Sequence, residues 1–227
     1  MSTTLAGSDH NLQQLVAEAI GTMFLVVGVV GSAIMAQHLT NDPAIVLLCN
    51  AAATGAILVV LILIFAPISG AQFNPAVSLA LFARGEISAA WAFLTGAAQI
   101  AGAVSGTLVA HAMFAVPLFA AGVSVRTGIG QWLGEGVATA GLLLTIFGSR
   151  QRGDGVLASA VGLYIGAAYW FTSSTSFANP AVTIARALTP TFAGIRPRDA
   201  LLFVAIQFVV APLAALGARW LYLRQAD

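Results

Sequence analysis

The sequence predicts an all-α membrane protein with six transmembrane helices and two re-entrant half-helices, arranged as an inverted repeat. The first observation is composition: 59% of the 227 residues are hydrophobic and only 7% are charged, whereas a soluble domain is about a quarter charged. The second is a set of long apolar runs. The third is the tripeptide Asn-Pro-Ala, which occurs twice and is followed by Val both times.

The apolar runs give the number of membrane-crossing elements. A spanning helix needs about 20 apolar residues. Four runs have the length of one span, and two are too long for one span and too short for two. In chain order the runs are 19–36, 44–83, 87–110, 127–149 (interrupted only by Glu135), 155–185 and 200–218. Each long run carries one Asn-Pro-Ala near its C-terminal end, so we expect each to contain a full span followed by a half-helix.

Three sequence markers recur in the same order in the two halves of the chain. They are "EAIGT" at 18–22 and "EGVAT" at 135–139, the two Asn-Pro-Ala triplets, and the pair Gln99 and Gln207. A unit of three spans and a half-helix crosses the membrane an odd number of times, so its two copies must lie in opposite orientations. We expect one channel domain over residues 1–227, with inverted repeats at about 12–114 and 128–223.

Each Asn-Pro-Ala has the chemistry of a helix start. Asn is a good N-cap, and Pro suits the first helical position because it has no backbone N–H to leave unpaired. Non-helical backbone is tolerated inside a membrane only where protein or a water-filled cavity satisfies it, so the segment before each cap should line a lumen. Two helix N-termini that meet there create a positive region, which repels cations and protons. The predicted pore motifs are Asn74, Pro75, Ala76, Asn179, Pro180 and Ala181.

The paired Asn-Pro-Ala motifs, the stretch "SGAQFNPAV", the two Glu-led helix starts and the two Gln residues together resemble the aquaporin and aquaglyceroporin (major intrinsic protein) family over essentially the whole chain. The resemblance implies an hourglass fold, a homotetramer with one pore in each subunit, and passive movement of water or small neutral solutes. It also implies an integral protein of a bacterial inner membrane, in contact with the lipid bilayer, with both termini cytoplasmic. No cofactor, metal site or nucleic-acid partner is expected.

The constriction that the resemblance implies departs from the family's pattern. Most members have Arg directly after the second Asn-Pro-Ala, and this chain has Val182. Counting back from the two motifs places Thr54, Ala167 and Ser176 at the other three positions of the constriction. Water-selective members have an aromatic residue, a His and the Arg there. Because all four residues here are small and uncharged, we expect a wider and less polar opening.

A wide, uncharged opening favours small neutral solutes with several hydroxyl groups over strict water selectivity. The run "SFANPAVTIAR" also resembles a subgroup of bacterial aquaglyceroporins associated with arsenic resistance. The leading predicted cargo is therefore arsenite with methylated arsenicals, followed by glycerol-like polyols and water. Two alternatives stay open: a water-selective aquaporin, and a poorly conducting structural or junction protein.

Arg186 follows Val182 by four residues, so the two lie on one face of the second half-helix. Its guanidinium either reaches the lumen and partly restores the missing positive charge, or bonds loop carbonyls near the end of the half-helix. The second interpretation is preferred because an unpaired charge inside a membrane is costly.

Glu18 and Glu135 occupy matched positions at the starts of equivalent helices. We expect each carboxylate to accept hydrogen bonds from the backbone N–H groups of its own half's re-entrant loop. Ion or proton handling is the alternative, because intramembrane carboxylates are functional candidates. Gln99 and Gln207 are expected to bond loop carbonyls.

Other functional classes lack their sequence signatures. The chain has no zinc-ligand spacing, no Gly-x-Ser-x-Gly elbow and no Gly-rich phosphate loop, so it is not expected to be an enzyme. Coupled transporters usually place ionisable residues where their helices break. Here the breaks carry Asn, Pro, Ala and Val, which favours a channel over a carrier.

Overall fold

The computed structural model describes residues 3–222, with side chains from residue 11 onward. Both chain ends and the predicted repeat boundary at residue 223 lie outside this range. Within it the backbone forms eight α-helices, a short 3-10 turn at Arg150–Arg152 and no β-strand. The helices are α1 Thr3–Leu39, α2 Pro43–Ser69, α3 Pro75–Ala83, α4 Ala89–Met113, α5 Ile129–Ser149, α6 Asp154–Phe171, α7 Pro180–Arg186 and α8 Pro197–Tyr222.

Both long apolar runs are broken where the sequence predicts. The first is divided between α2 and α3, and the second between α6 and α7. The half-helices α3 and α7 have 9 and 7 residues, which corresponds to about 14 and 10 Å and is too short to cross a bilayer. The predicted fold class of six long helices and two half-helices is confirmed.

The long helices have the dimensions of membrane spans. Among residues 3–222, 5 helices are long and apolar enough to cross a membrane. The remaining long helix, α6, has 18 residues, or about 27 Å at 1.5 Å per residue, which is close to the hydrocarbon thickness of about 30 Å.

Local chemistry determines where several of these helices begin and end. The side chain of Asp42 accepts a hydrogen bond from the N–H of Ala44 at 2.8 Å and so caps α2. Gly70 ends the same helix in the left-handed conformation, with φ of 84°, which glycine adopts without a steric penalty. Ser88 caps α4 by accepting from the N–H of Trp91.

Glycines allow the long helices to approach closely. A Cβ atom added to Gly102 of α4 would lie 2.0 Å from the Ala19 carbonyl oxygen of α1, and one added to Gly106 would lie 2.5 Å from that of Met23. The backbones of α2 and α6 meet in the same way at Gly55. Close approach of small residues is the usual means of helix association in membranes, because packing replaces the hydrophobic effect there.

The helices pack with an approximate two-fold relation between the halves. α1 packs on α4 as α5 packs on α8, and α2 packs on α6 across the two halves. Each half-helix contacts both α4 and α8. The two half-helices are therefore held between α4 and α8. Their N-terminal ends lie close to each other, because each cap residue, Asn74 or Asn179, bonds the loop before the other half-helix.

A group of charged side chains ties the end of α3 to the end of α5. Glu86, in the turn after α3, accepts from both terminal nitrogens of Arg150 at 2.6 and 2.8 Å and from Nε of Arg84 at 2.7 Å. The two guanidiniums also lie 4.4 and 4.8 Å from the ring centroid of Phe147. The hydrogen bond from Arg150 is the main reason that the pKa of Glu86 is lowered, to about 2.

We expect Glu86→Gln to lower the stability of the folded protein by about 1 kcal/mol or less at neutral pH, because the ion pair is partly exposed. A lowered pKa means that folding favours the ionised carboxylate. Its stabilisation is complete above the ordinary pKa of 4.5 and is lost as pH falls through about 2. Thermal unfolding in detergent at several pH values measures this. A difference between wild type and variant that is equally large at pH values near 7 and near 2 would contradict the ion-pair assignment.

Candidate functional site

Both re-entrant loops contain residues in the left-handed backbone conformation. The positive φ angles are 48° at Ala71 and Phe73 in the first loop, and 59°, 51° and 48° at Thr175, Ser176 and Ala178 in the second. A side chain makes this conformation unfavourable by roughly 1–2 kcal/mol for each residue. The surrounding structure must therefore hold these loops in place.

Glu18 holds the first re-entrant loop. Its carboxylate is buried and accepts from the backbone N–H of Gln72 at 2.9 Å and of Phe73 at 2.7 Å. It also accepts from the hydroxyl of Ser69 at 2.6 Å. Two donors from the loop and one from the end of α2 converge on one carboxylate, so the loop cannot move away without leaving buried acceptor oxygens unpaired.

Glu135 holds the second re-entrant loop in the matching way. Its buried carboxylate accepts from the backbone N–H of Phe177 at 3.2 Å and through a short contact from the N–H of Ala178. Neither Glu18 nor Glu135 borders the central cavity. Their contacts match the loop-supporting interpretation and give no support to the proton-handling alternative.

The two glutamines bond different groups from those that the sequence suggested. Gln99 donates to the Glu18 carboxylate at 2.8 Å, and Gln207 donates to the Glu135 carboxylate at 2.7 Å. The prediction that they bond loop carbonyls is therefore wrong. The NH2 group of a glutamine can only donate, and a carboxylate oxygen is an acceptor that lies within its reach. The glutamines thus support the loops indirectly, through the two glutamates.

Asn74 and Asn179 cap the half-helices and link the two repeats. The side-chain oxygen of Asn74 accepts from the N–H of Ala76 at 2.9 Å, and that of Asn179 accepts from the N–H of Ala181 at 3.0 Å. Pro75 and Pro180 are the first helical residues. Ala76 and Ala181 are buried in the packing around α3 and α7.

The amide nitrogens of the same asparagines cross between the repeats. Asn74 Nδ2 donates to the carbonyl of Ala178, and Asn179 Nδ2 donates to the carbonyl of Phe73, both at 2.7 Å. Each NH2 group carries two hydrogens, so one hydrogen of each is used across the repeats and a second is available to a group in the cavity.

A cavity of about 300 Å³ runs past both asparagines. It extends along α6 from Asp154 to Tyr169, a length of about 22 Å at the helical rise. One end is bordered by Arg150 and is called here the Arg150 end; the other is bordered by Arg186 and is called the Arg186 end. Apolar side chains at four-residue spacing line it on four helices: Leu25 and Val29 of α1, Leu58 and Ile62 of α2, Leu142 and Ile146 of α5, and Leu157, Val161 and Ile165 of α6.

Three of the four predicted constriction residues come together toward the Arg186 end. Thr54, Ser176 and Val182 all border the cavity and are buried. Tyr169 borders it beside them, and its hydroxyl lies 3.3 Å from the hydroxyl of Thr54. The Ser176 hydroxyl has no hydrogen-bond partner within the described part of the chain.

Ala167 does not lie at the constriction. It is exposed and lines a groove on the outer surface between α2 and α6. From Leu157 onward the cavity-lining residues of α6 recur every four positions and end at Tyr169. A residue two positions before Tyr169 points about 160° away from it on a helix. The prediction for Ala167 is therefore wrong, and an aromatic residue stands where a small one was expected. The four-residue spacing of Leu157, Val161, Ile165 and Tyr169 in the sequence is the signal that could have identified Tyr169 as a cavity residue.

Arg186 combines features of both interpretations of its role. Its Nε donates to the carbonyl of Ala193 in the segment after α7 through a short hydrogen bond, and the residue also borders the cavity. The guanidinium carbon lies 3.4 Å from the ring centroid of Phe177.

The cavity wall can solvate a small solute without reacting with it. It offers apolar stripes, two amide donors and the backbone of the two re-entrant loops. Within residues 11–222, whose side chains the structure describes, no group of three or more His, Cys, Asp or Glu side chains is placed to hold a metal ion.

Comparison with known proteins identifies the family. Residues 6–216 match the major intrinsic protein family. The chain belongs to this family. It is 51% identical over 209 residues to the aquaglyceroporin AqpS of Rhizobium meliloti (strain 1021), covering 92% of this chain and 90% of that protein. It is also 34% identical over 176 residues to the probable aquaporin TIP2-2 of Oryza sativa subsp. japonica, covering 70% of this chain and 68% of that one.

The fold also matches a solved structure. The aquaglyceroporin from Plasmodium falciparum superimposes with a TM-score of 0.70 at 21% sequence identity, covering 93% of this chain and 95% of the other. Family membership and fold together make this chain an integral membrane protein that acts as a passive channel for small solutes and not as an enzyme.

We expect Glu135→Gln to destabilise the folded protein by about 1–3 kcal/mol, because a neutral amide cannot accept all the hydrogen bonds that converge on the carboxylate. Thermal unfolding in detergent measures the change, and Glu18→Gln is the matched variant of the other repeat. If either variant kept its full stability and lost only proton permeability, the proton-handling interpretation would replace the loop-supporting one.

We expect Tyr169→Leu to increase the flux of glycerol-sized solutes several-fold relative to water, because it removes an aromatic ring from the Arg186 end. Tyr169→Phe keeps the ring and loses only the contact with Thr54, so its selectivity should stay close to that of the wild type. Ala167→Val is the control in the outer groove. A loss of glycerol flux in Ala167→Val would mean that Ala167 borders the pore after all.

Proposed function

We propose that this chain conducts small uncharged solutes with several hydroxyl groups, namely glycerol-like polyols and arsenite with methylated arsenicals, and that water is a further permeant. The observation that carries the proposal is that the cavity wall combines an apolar part with a hydrogen-bonding part. Apolar side chains from four helices form one part of it, while the two asparagine amides and the re-entrant loop backbones provide hydrogen-bonding groups.

A solute that leaves water must keep its polar groups paired, because an unpaired hydroxyl in an apolar site costs several kcal/mol. In the proposed pathway a solute hydroxyl accepts from the second hydrogen of Asn74 or Asn179 and donates to loop carbonyls. The carbon atoms of a polyol, or the methyl group of a methylated arsenical, lie against the apolar stripes. Polyols and As(OH)3 share this chemistry, because both are small, neutral and rich in hydroxyl groups.

The names of the similar proteins support the polyol part of the proposal. The Rhizobium meliloti relative and the Plasmodium falciparum structure are both named aquaglyceroporins. The arsenical part rests on the resemblance of "SFANPAVTIAR" to the arsenic-associated subgroup, together with Val182 in place of Arg.

We assign the constriction to Thr54, Ser176 and Val182, with Tyr169 in the place first given to Ala167. Ser176 borders the cavity, and its hydroxyl is enclosed by the surrounding protein. The pore motifs Asn74 to Ala76 and Asn179 to Ala181 orient the solute at the centre. The N-terminal ends of α3 and α7 provide a positive region at the same place, which opposes cations and protons.

The assembly we propose is a homotetramer with one pore in each subunit, in a bacterial inner membrane with both termini in the cytoplasm. A single channel domain with repeats at about 12–114 and 128–223 accounts for the organisation of the helices. The outer groove between α2 and α6 is lined mainly by small and apolar residues, among them Gly55, Ala56 and Gly166, and suits close contact with a neighbouring helix.

A water-selective channel is the second candidate, and Tyr169 is the observation that favours it. A tyrosine within hydrogen-bonding distance of Thr54 makes the Arg186 end narrower than four small residues would. Water would then pass, and larger solutes would be retarded.

The test compares water, glycerol and arsenite fluxes in proteoliposomes by stopped-flow light scattering and arsenite uptake. We expect the native chain to pass all three. Val182→Arg should reduce the glycerol and arsenite fluxes about tenfold or more, because a large cation narrows the constriction. Val182→Leu is the control for size without charge.

Rapid water flow without glycerol or arsenite uptake by the native chain would favour the water-selective candidate. Absence of all three fluxes from correctly folded protein would favour a structural role.

A further inference from the structure

Arg186 is a buried cation without an anionic partner. The residue is only 2% exposed. Within the described part of the chain the ion pairs involve other arginines, namely Arg84, Arg150, Arg196 and Arg198. A buried charge without a partner is strongly unfavourable in a membrane protein, so it is retained where it has a function.

The surrounding residues fix the position of the Arg186 guanidinium. Nε donates to the carbonyl of Ala193, and the guanidinium carbon lies 3.4 Å from the ring centroid of Phe177. Arg126 lies 5.1 Å from the same ring and donates from Nε to the carbonyl of Gly194 at 3.0 Å. The segment after α7 and the second re-entrant loop therefore hold the cation from several sides.

The two terminal nitrogens of Arg186 remain available to the cavity. Within residues 11–222, the only hydrogen bond that the Arg186 side chain makes to protein is the one from Nε. In that range the terminal nitrogens are not among the unpaired polar atoms that protein encloses completely. Arg186 also borders the cavity, together with Val182. Unpaired nitrogens that are not sealed by protein must face the open space beside them.

Arg186 lies one helical turn beyond Val182 along α7, which is about 6 Å. A helical side chain leans back toward the N-terminus of its helix, so the guanidinium of Arg186 is directed back toward the level of Val182. Its charge adds to the positive end of α7 inside a narrow space that water screens poorly.

We propose that Arg186 is the cation-excluding residue of this channel and supplies, from the end of α7, the positive charge that Val182 does not provide. The proposal rests on the proposed function, since it requires an open lumen. The assignment of Arg186 goes beyond the proposed function, because it places ion exclusion on a residue outside the four-residue constriction. Arg126 is a positioning residue that keeps Phe177 and the segment after α7 in place.

The experiment measures potassium and proton leakage together with glycerol flux in proteoliposomes that carry the wild type or a variant. Arg186→Gln removes the charge and keeps a donor for the Ala193 carbonyl, whereas Arg186→Lys keeps the charge. Arg186→Met is the second neutral variant, because its apolar side chain can still pack on Phe177. Arg198→Gln is the matched control, since Arg198 is an exposed arginine outside the cavity.

We expect Arg186→Gln and Arg186→Met to increase cation leakage by at least about tenfold, which corresponds to a barrier lowered by about 1.4 kcal/mol. Arg186→Lys and Arg198→Gln should stay at the wild-type level. Val182→Arg combined with Arg186→Gln should reduce the leakage again, because the charge is returned to the lumen one turn earlier.

Unchanged leakage in a folded Arg186→Gln or Arg186→Met channel that still passes glycerol would overturn the proposal, and so would equal leakage in the Gln and Lys variants. If the wild type passes no solute at all, the proposed function fails instead, and that result is visible before any variant is compared.

Discussion

Backbone that leaves the helical conformation inside a bilayer must find partners for its N–H groups within the protein, and much of this structure follows from that requirement. Glu18 and Glu135 meet it by accepting from two consecutive backbone N–H groups in each re-entrant loop. Because the buried carboxylates accept from these N–H groups, the loops can keep residues in the left-handed backbone conformation inside the protein. The glutamines that donate to these carboxylates complete two matched networks, one in each repeat.

The two repeats are also joined to each other beside the cavity. Each asparagine caps its own half-helix and donates to a carbonyl of the opposite loop. The caps of α3 and α7 are therefore mutually dependent, and neither half can form the centre of the cavity alone. The hydrogen bonds that join the two loops also fix the direction of the Asn74 and Asn179 amide groups beside the cavity. This accounts for the two polar asparagines in a chain that is otherwise strongly apolar.

At the Arg186 end the chain departs from the common pattern of its family in two compensating ways. The position after the second Asn-Pro-Ala is apolar, but a guanidinium one turn further along α7 borders the same cavity. The positions obtained by counting are all small, but Tyr169 contributes an aromatic ring beside Thr54. In the two proposals, size selection and charge selection are divided between different helices, because Tyr169 belongs to α6 and Arg186 to α7.

Composition, the apolar runs and the repeated Asn-Pro-Ala determined the fold class, the two helix breaks and the capping role of the asparagines, because these depend on local chemistry and on bilayer thickness. The matched positions of Glu18 and Glu135 also indicated where the loop N–H groups find acceptors. Only the tertiary structure decided that Tyr169 and not Ala167 faces the cavity, that the glutamines bond carboxylates, and that Phe177 and Ala193 hold Arg186. These depend on the rotational phase of a helix and on contacts between segments distant in sequence, and counting residues from a motif does not fix either of them.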